Sequence, residues 1–143
     1  MNMLLSMFVA SFIIQYFIMS FIMTNNIGDI SFSLGKFYIS VIMGLLMVIY
    51  EIGVHNITSK RLIKYLFLLG IFIVLYRNQV FISDKQYLTE MIEHHSMALL
   101  TSSNKRQSER VDVADLASNI YNSQLQEITR MKNMIREASA FGA

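Results

Sequence analysis

The chain has 143 residues, of which 54% are hydrophobic and only 15% are charged. Soluble domains carry about 25% charged residues, so the composition argues against an ordinary soluble domain. Cysteine is absent, which excludes disulfide frameworks, cysteine zinc sites and thiol catalysis. Residues 1–82 hold five Lys/Arg and two Asp/Glu, whereas residues 83–143 hold seven and eight. We therefore predict an apolar membrane part, residues 1–82, followed by a polar domain, residues 83–143.

The membrane part contains three apolar segments. The first 23 residues have no charged side chain, and an apolar run longer than about 18 residues can cross a bilayer as a helix. No Lys or Arg precedes Lys36 and no small-x-small cleavage site stands out, which favours a retained helix over a cleaved signal peptide. The third segment spans only if Lys64 and Arg77 extend their charged ends to the two interfaces. We predict three transmembrane helices, at about residues 3–23, 37–54 and 62–82.

The loops predict an orientation. Lys60, Arg61 and Lys64 follow the second segment, and the positive-inside rule places this basic loop in the cytoplasm. The N-terminus is then also cytoplasmic. The linker Thr24–Lys36 and everything after Ile82 lie on the extracytoplasmic side.

Two features of the second apolar segment suggest specific contacts. Glu51 is either a functional intramembrane carboxylate or an interfacial group paired with Lys60, Arg61 or Lys64. Ser40 and Gly44 form a small-xxx-small pair, which is a hint of close helix packing.

The polar domain is predicted to be a pair of helices, at about residues 84–101 and 112–139. Ser83 with Gln86 three residues later matches a capping box. Thr101–Arg110 is a polar loop, and two helices joined by a short loop pack antiparallel. About sixty residues are marginal for independent stability, so the hairpin needs a partner: a second copy of itself or the membrane helices. We therefore expect a homo-oligomer formed through this hairpin.

The first of these helices carries a candidate metal site. Met91, His94 and His95 are spaced three and four apart, so they share a helix face, and Met97 follows His94 by three. Glu90 stands four before His94 and could orient its ring. Imidazole and thioether groups together suit soft or borderline metals, copper(I) above all.

The second helix carries polar residues on its inward stripe. Gln124, Glu127 and Met131 are spaced three and four apart, between apolar positions. Burying unpaired polar groups costs a few kcal/mol, so Gln124 and Glu127 need partners. The histidine pair could supply them directly, as a buried hydrogen-bond network, or through a bound metal.

The segments MIEHHSMALL and LASNIYNSQLQEITRMKNMI resemble the domain-of-unknown-function family 305, over about residues 84–137. That family reads roughly Met-Ile-x-His-His-x-x-Ala on one helix and Leu-Ala-x-x-Ile-x-x-x-Gln-x-x-Glu-Ile-x-x-Met on the next. The matching positions are Met91, Ile92, His94, His95, Ala98, Leu116, Ala117, Ile120, Gln124, Glu127, Ile128 and Met131.

The resemblance implies a ferritin-like helical hairpin, which two copies would complete to a four-helix bundle, usually outside the cytoplasmic membrane. It also implies copper binding, which is linked to some members of the family. The chain departs from the pattern at Thr101, where the family often has Met, and at Glu93, where it often has Pro. The missing methionine removes one soft ligand, and Met97 is the candidate replacement.

The predicted function is a membrane-anchored protein that binds copper or silver ions in metal handling or tolerance. His94, His95 and Met91 are the predicted primary ligands, with Met97 or Met131 completing the site. Glu90, Gln124 and Glu127 are predicted second-shell or harder ligands. The alternative is a non-enzymatic membrane scaffold or assembly protein in which the histidine pair belongs to a buried hydrogen-bond network.

Two other functions are not predicted. A di-metal oxidoreductase needs Glu-x-x-His motifs, but Met91 and Ile92 stand three residues before the two histidines. Nucleic-acid binding is disfavoured because acidic neighbours offset the short basic loop at Lys105, Arg106 and Arg110.

Overall fold

The computed structural model describes residues 3–55 and 59–141, and within these ranges it contains helices and connecting turns but no β-strand. The predicted all-α fold class is therefore confirmed. A π-helical stretch, Ile14–Ile18, interrupts the first helix, and a 3-10 turn, Ile27–Asp29, follows it. The helices of the described residues are α1 (Met3–Met23), α2 (Leu34–Val54), α3 (Ser59–Arg77), α4 (Asp84–Lys105) and α5 (Val111–Phe141).

Two helices of the described part, not three, are long and apolar enough to cross a membrane. These are α1 and α2, each of 21 residues. The predicted third span, α3, is not among them, because it carries Lys60, Arg61, Lys64 and Arg77 within 19 residues. Only 6% of the most apolar window of α1 is buried in the chain, against 44% for α2. The apolar surface of α1 is thus available to lipid.

The third helix also ends earlier than predicted, at Arg77 rather than residue 82. Asn78 Nδ2 donates to the Val74 carbonyl oxygen at 2.8 Å and closes the last turn. Gln79 and Phe81 then take positive φ angles of 50° and 60°, a left-handed conformation that does not continue a helix.

The first of two compact units comprises Met1–Met19 and Leu34–Ile82. Gly44 lies where α2 approaches α1 most closely, since a Cβ atom there would lie 2.7 Å from the Phe8 ring. The helix contact predicted from Ser40 and Gly44 is therefore confirmed at Gly44, where only hydrogen leaves room for the neighbouring ring.

Glu51 lies near the end of α2 with its side chain 12% exposed. Its Oε1 atom is 3.2 Å from Nδ1 of His55, one helical turn later. The carboxylate thus has a partner within its own helix end, a contact that the sequence did not indicate.

The second unit comprises Ser20–Ser33 and Ser83–Ala143. Its core lies between α4 and α5, and the Arg106 guanidinium stacks over the Tyr121 ring at 4.6 Å near the turn that joins them. The predicted capping box is confirmed, since Ser83 and Gln86 each bond the other's backbone nitrogen. The buried core residues are Ile92, Leu99, Ile128 and Met131.

The helix α4 extends to Lys105, four residues beyond its predicted end. Thr101 Oγ1 donates to the carbonyl oxygen of Met97 and Ser103 Oγ donates to that of Leu100, so these polar side chains bond within the helix instead of leaving it. At the start of α5, the Arg110 guanidinium donates to the Asp112 carboxylate and lowers its pKa from the usual value.

Candidate functional site

A contact between the side chains of His95 and Glu127 connects α4 to α5. His95 Nε2 lies 2.6 Å from Glu127 Oε2, and His95 Nδ1 lies 2.7 Å from the backbone oxygen of Met91. Because a carbonyl oxygen can only accept, Nδ1 carries a proton and donates it one turn back along α4. The Nε2–Oε2 contact needs a further proton, either on the imidazole or on the carboxyl group. Both nitrogens of this ring are therefore engaged within the unit.

The two partners of this contact differ in exposure. The His95 side chain is 12% exposed, whereas that of Glu127 is 51% exposed. Ser123 Oγ donates to the other Glu127 oxygen, Oε1, at 3.3 Å. The contact therefore runs from the helix–helix boundary to the surface and reaches solvent through Glu127.

Two of the predicted methionine ligands belong to the apolar core. Met131 is 9% exposed in the core cluster, and Met91 packs against the same cluster. Packing against aliphatic side chains is the usual role of methionine in a core. His94, in contrast, is exposed, with its ring centroid 6.3 Å from that of His95.

The remaining predicted residues are dispersed. Met97 on α4 and Gln124 on α5 are both partly buried. Glu90 accepts a hydrogen bond from Ser33 Oγ at 3.0 Å, a partner that the sequence did not indicate. Thr101, which replaces a methionine of the family pattern, is exposed.

These positions do not form a ready metal cage. Across residues 3–55 and 59–141, no group of three or more His, Asp or Glu side chains is placed to hold a metal ion. A metal needs a free lone pair on imidazole, but the Nε2 side of His95 faces Glu127. A metal ion could bind His95 only by separating it from Glu127.

The carboxylate of Glu93 accepts several hydrogen bonds within the second unit. It is 8% exposed, and Ser20 Oγ donates to its Oε1 atom at 2.5 Å. The backbone nitrogen and the hydroxyl of Ser31 both donate to Oε2, at 2.6 and 2.7 Å. Three donors from the segment Ser20–Ser33 thus converge on one buried carboxylate of α4, and we name this segment the docked segment.

Further contacts fix the docked segment along its length. The backbone nitrogens of Asn25 and Asn26 donate to Ser96 Oγ at 3.2 and 3.3 Å. Lys132 Nζ of α5 lies 2.5 Å from Asp29 Oδ1, and the Asp29 side chain is only 4% exposed. The docked segment, which begins in the last turn of α1 and leads to α2, is therefore part of the second unit.

The sequence-based division at residue 82 placed this segment with the membrane part. Glu93 was singled out only as a departure from a family pattern, and its role was missed. The available signal was the run of serines at Ser31 and Ser33, which alternate with apolar residues and so turn to one side of an extended chain.

Two matches relate the chain to known protein sequences. Residues 75–135 match the family described as "Domain of unknown function (DUF305)", as the two helix motifs predicted. The chain is also 36% identical to "Uncharacterized protein L153" of Acanthamoeba polyphaga mimivirus, over 95% of this chain and 93% of that protein. No solved structure matches the chain. The chain therefore belongs to the family of this mimivirus protein, with a DUF305 region at residues 75–135.

Proposed function

We propose that the protein is a membrane-anchored, non-enzymatic scaffold or assembly protein, with the second unit as its interaction module. The observation that carries this proposal is the contact between His95 and Glu127, which uses both ring nitrogens of His95 inside the unit. A histidine held in this way stabilises a helix pair, and a ligand could bind its Nε2 atom only by displacing Glu127.

Membrane anchoring is supported by the surface of α1. Leu5, Ile13 and Phe17 are among its large apolar side chains that stay exposed in the chain. Soluble proteins rarely leave the apolar surface of a whole helix exposed. Large exposed apolar patches normally mark interaction or membrane surfaces. Lipid is the partner that fits a helix without a single charge.

Self-association is supported by a second apolar row on α5. Leu116, Ile120 and Met134 are exposed and lie on one face of this helix, beside Glu127. A second copy of the helix pair, antiparallel within each chain, would cover this row and complete a four-helix bundle.

We infer that the N-terminus lies in the cytoplasm and the docked segment and helix pair on the extracytoplasmic side, an arrangement in which α3 crosses the membrane together with α2. The basic residues Lys60, Arg61 and Lys64 support this orientation. The hydrogen bonds between the docked segment and α4 support a common side for these two parts.

The orientation is testable because the chain has no cysteine of its own. We expect Asn25→Cys and Gln107→Cys to react with a membrane-impermeant thiol reagent applied to intact cells, and Met3→Cys to react only after permeabilisation. Labelling of Asn25→Cys with protection of Gln107→Cys would contradict the common side. Protection of both would reverse the orientation.

A second prediction tests the contact itself. We expect His95→Ala to lower the free energy of unfolding by about 1 kcal/mol, since the partner Glu127 is half exposed. The double variant with Glu127→Ala should lose little more, because both changes remove the same contact. His94→Ala, on the neighbouring exposed histidine, is the matched control and should change stability by less than about 0.5 kcal/mol.

Metal handling, with copper or silver as the ion, is the second candidate function. It is favoured by the location of Met91, His95 and Met131 at one helix–helix boundary, beside a carboxylate. Elemental analysis of the purified protein separates the two functions. Stoichiometric metal that is lost in the His94→Ala/His95→Ala variant would support metal handling. Absence of metal, with an unfolding midpoint that a chelator does not change, would support the scaffold.

A further inference from the structure

The docked segment has an inverted distribution of polar and apolar residues. Its serines, Thr24 and Asp29 are buried and only Asn25 and Asn26 of its polar side chains are exposed, whereas large apolar side chains are exposed, with Ile27 and Phe32 each at 71%. A loop in water shows the opposite arrangement. The buried polar residues are Ser20, Thr24, Asp29, Ser31 and Ser33, and the exposed apolar residues are Phe21, Ile22, Ile27 and Phe32.

Hydrogen bonds to the helix pair explain the inversion. Ser20 and Ser31 point to Glu93, and Ser33 points to Glu90. Because serine and apolar residues alternate from Ile30 to Ser33, fixing the serines inward turns Phe32 outward. The polar anchors thus determine which side chains the segment presents.

The outward surface of the segment is also uncharged. Its one ionisable residue is Asp29, whose side chain is 4% exposed and is neutralised by Lys132. An uncharged surface with exposed Ile and Phe side chains suits the interfacial region of a bilayer, where aromatic and aliphatic groups insert.

The position of the docked segment next to α1 and α2 favours lipid as the partner of its apolar surface. Ile27 lies four residues after α1 ends and Phe32 two residues before α2 begins, and both helices are candidate spans. Four residues reach at most about 14 Å, so neither side chain can move far from the membrane surface if these helices cross it.

We propose that the docked segment inserts Ile27 and Phe32 into the lipid interface, so that the polar unit is held on the bilayer by an apolar loop. This inference rests on the proposed membrane anchoring. It adds a second membrane contact, made by the unit that contains the helix pair.

The absence of tryptophan from the chain allows a direct test with single-tryptophan variants. The full chain would be reconstituted in phosphatidylcholine vesicles whose lipids carry bromine either high in the acyl chain or near its end. Phe32→Trp and Ile27→Trp should show blue-shifted emission that the shallow bromines quench more strongly. Ile13→Trp, exposed in the middle of α1, should be quenched more by the deep bromines. Val111→Trp, 73% exposed at the start of α5, should be unquenched.

The control variants distinguish a failure of loop insertion from a failure of membrane anchoring. If the bromolipids quench Ile13→Trp, but Phe32→Trp emits at long wavelength and is not quenched, loop insertion is overturned and membrane anchoring stays intact. Blue-shifted but unquenched Phe32→Trp would also overturn it, because a protein surface would then cover the loop. Unquenched Ile13→Trp would overturn the membrane anchoring on which the inference rests.

Discussion

Replacing Glu93 with Ala is expected to lower the free energy of unfolding of the second unit by about 3 kcal/mol, since three buried donors lose their acceptor at about 1 kcal/mol or more each. These donors are the hydroxyl of Ser20 and the nitrogen and hydroxyl of Ser31. Release of the docked segment should also make residues 20–33 sensitive to protease. Denaturant unfolding in detergent and limited proteolysis would measure the two effects.

Two further variants define the role of the charge. Glu93→Gln keeps one acceptor oxygen, whereas the contacts use both carboxylate oxygens, so we expect an intermediate loss. Glu109→Ala removes an exposed carboxylate near the turn and is the matched control. Equal unfolding and equal protease resistance of Glu93→Ala and Glu109→Ala would show that Glu93 does not hold the segment.

Substitutions at Met131 are expected to show whether this residue packs in the core or binds a metal ion. Truncation to Ala should cost about 2–5 kcal/mol, because Met131 is buried among Ile92, Leu99 and Ile128. Substitution by Leu, which has a similar volume and no sulfur ligand, should cost less than about 1.5 kcal/mol. Both values would come from denaturant unfolding.

Leu125 provides the control for Met131, since it is 45% exposed on α5 and lies outside the row of Leu116, Ile120 and Met134. Leu125→Ala should change stability by less than about 0.5 kcal/mol. If Met131→Leu keeps its stability but loses bound metal, Met131 is a ligand. If it keeps stability and the metal content does not change, the residue serves packing.

Local signals in the sequence were sufficient for the helix pair. Ser83 and Gln86 marked the start of α4 by a motif of four residues, and the structure has this cap. The apolar spacing along α5 predicts an inward stripe in which Ala117, Ile128 and Met131 are indeed buried, whereas Leu116 and Ile120 of the same stripe are exposed. Short-range patterns predict such features because the groups that interact are close in the chain.

The docking of Ser20–Ser33 could not be predicted in this way. Glu93 and Ser31 are 62 residues apart, and Asp29 and Lys132 are 103 apart. No periodicity relates such positions, and Glu93 lies outside the apolar stripe that the helical spacing identified. The metal site stays a prediction, since the spacing that brings Met91 and Met131 inward is equally the spacing of an apolar core.

The hydrogen bonds of Glu93 also constrain how often the chain can cross a bilayer. If the chain is anchored in a bilayer as proposed, a segment that is bonded to α4 has to lie on the same side as α4, so the chain between Ser33 and Ser83 would cross an even number of times. The helices described in that interval are α2 and α3, so under the proposal they would cross together or not at all. Insertion of α3, which its four cations disfavour, would then depend on α2.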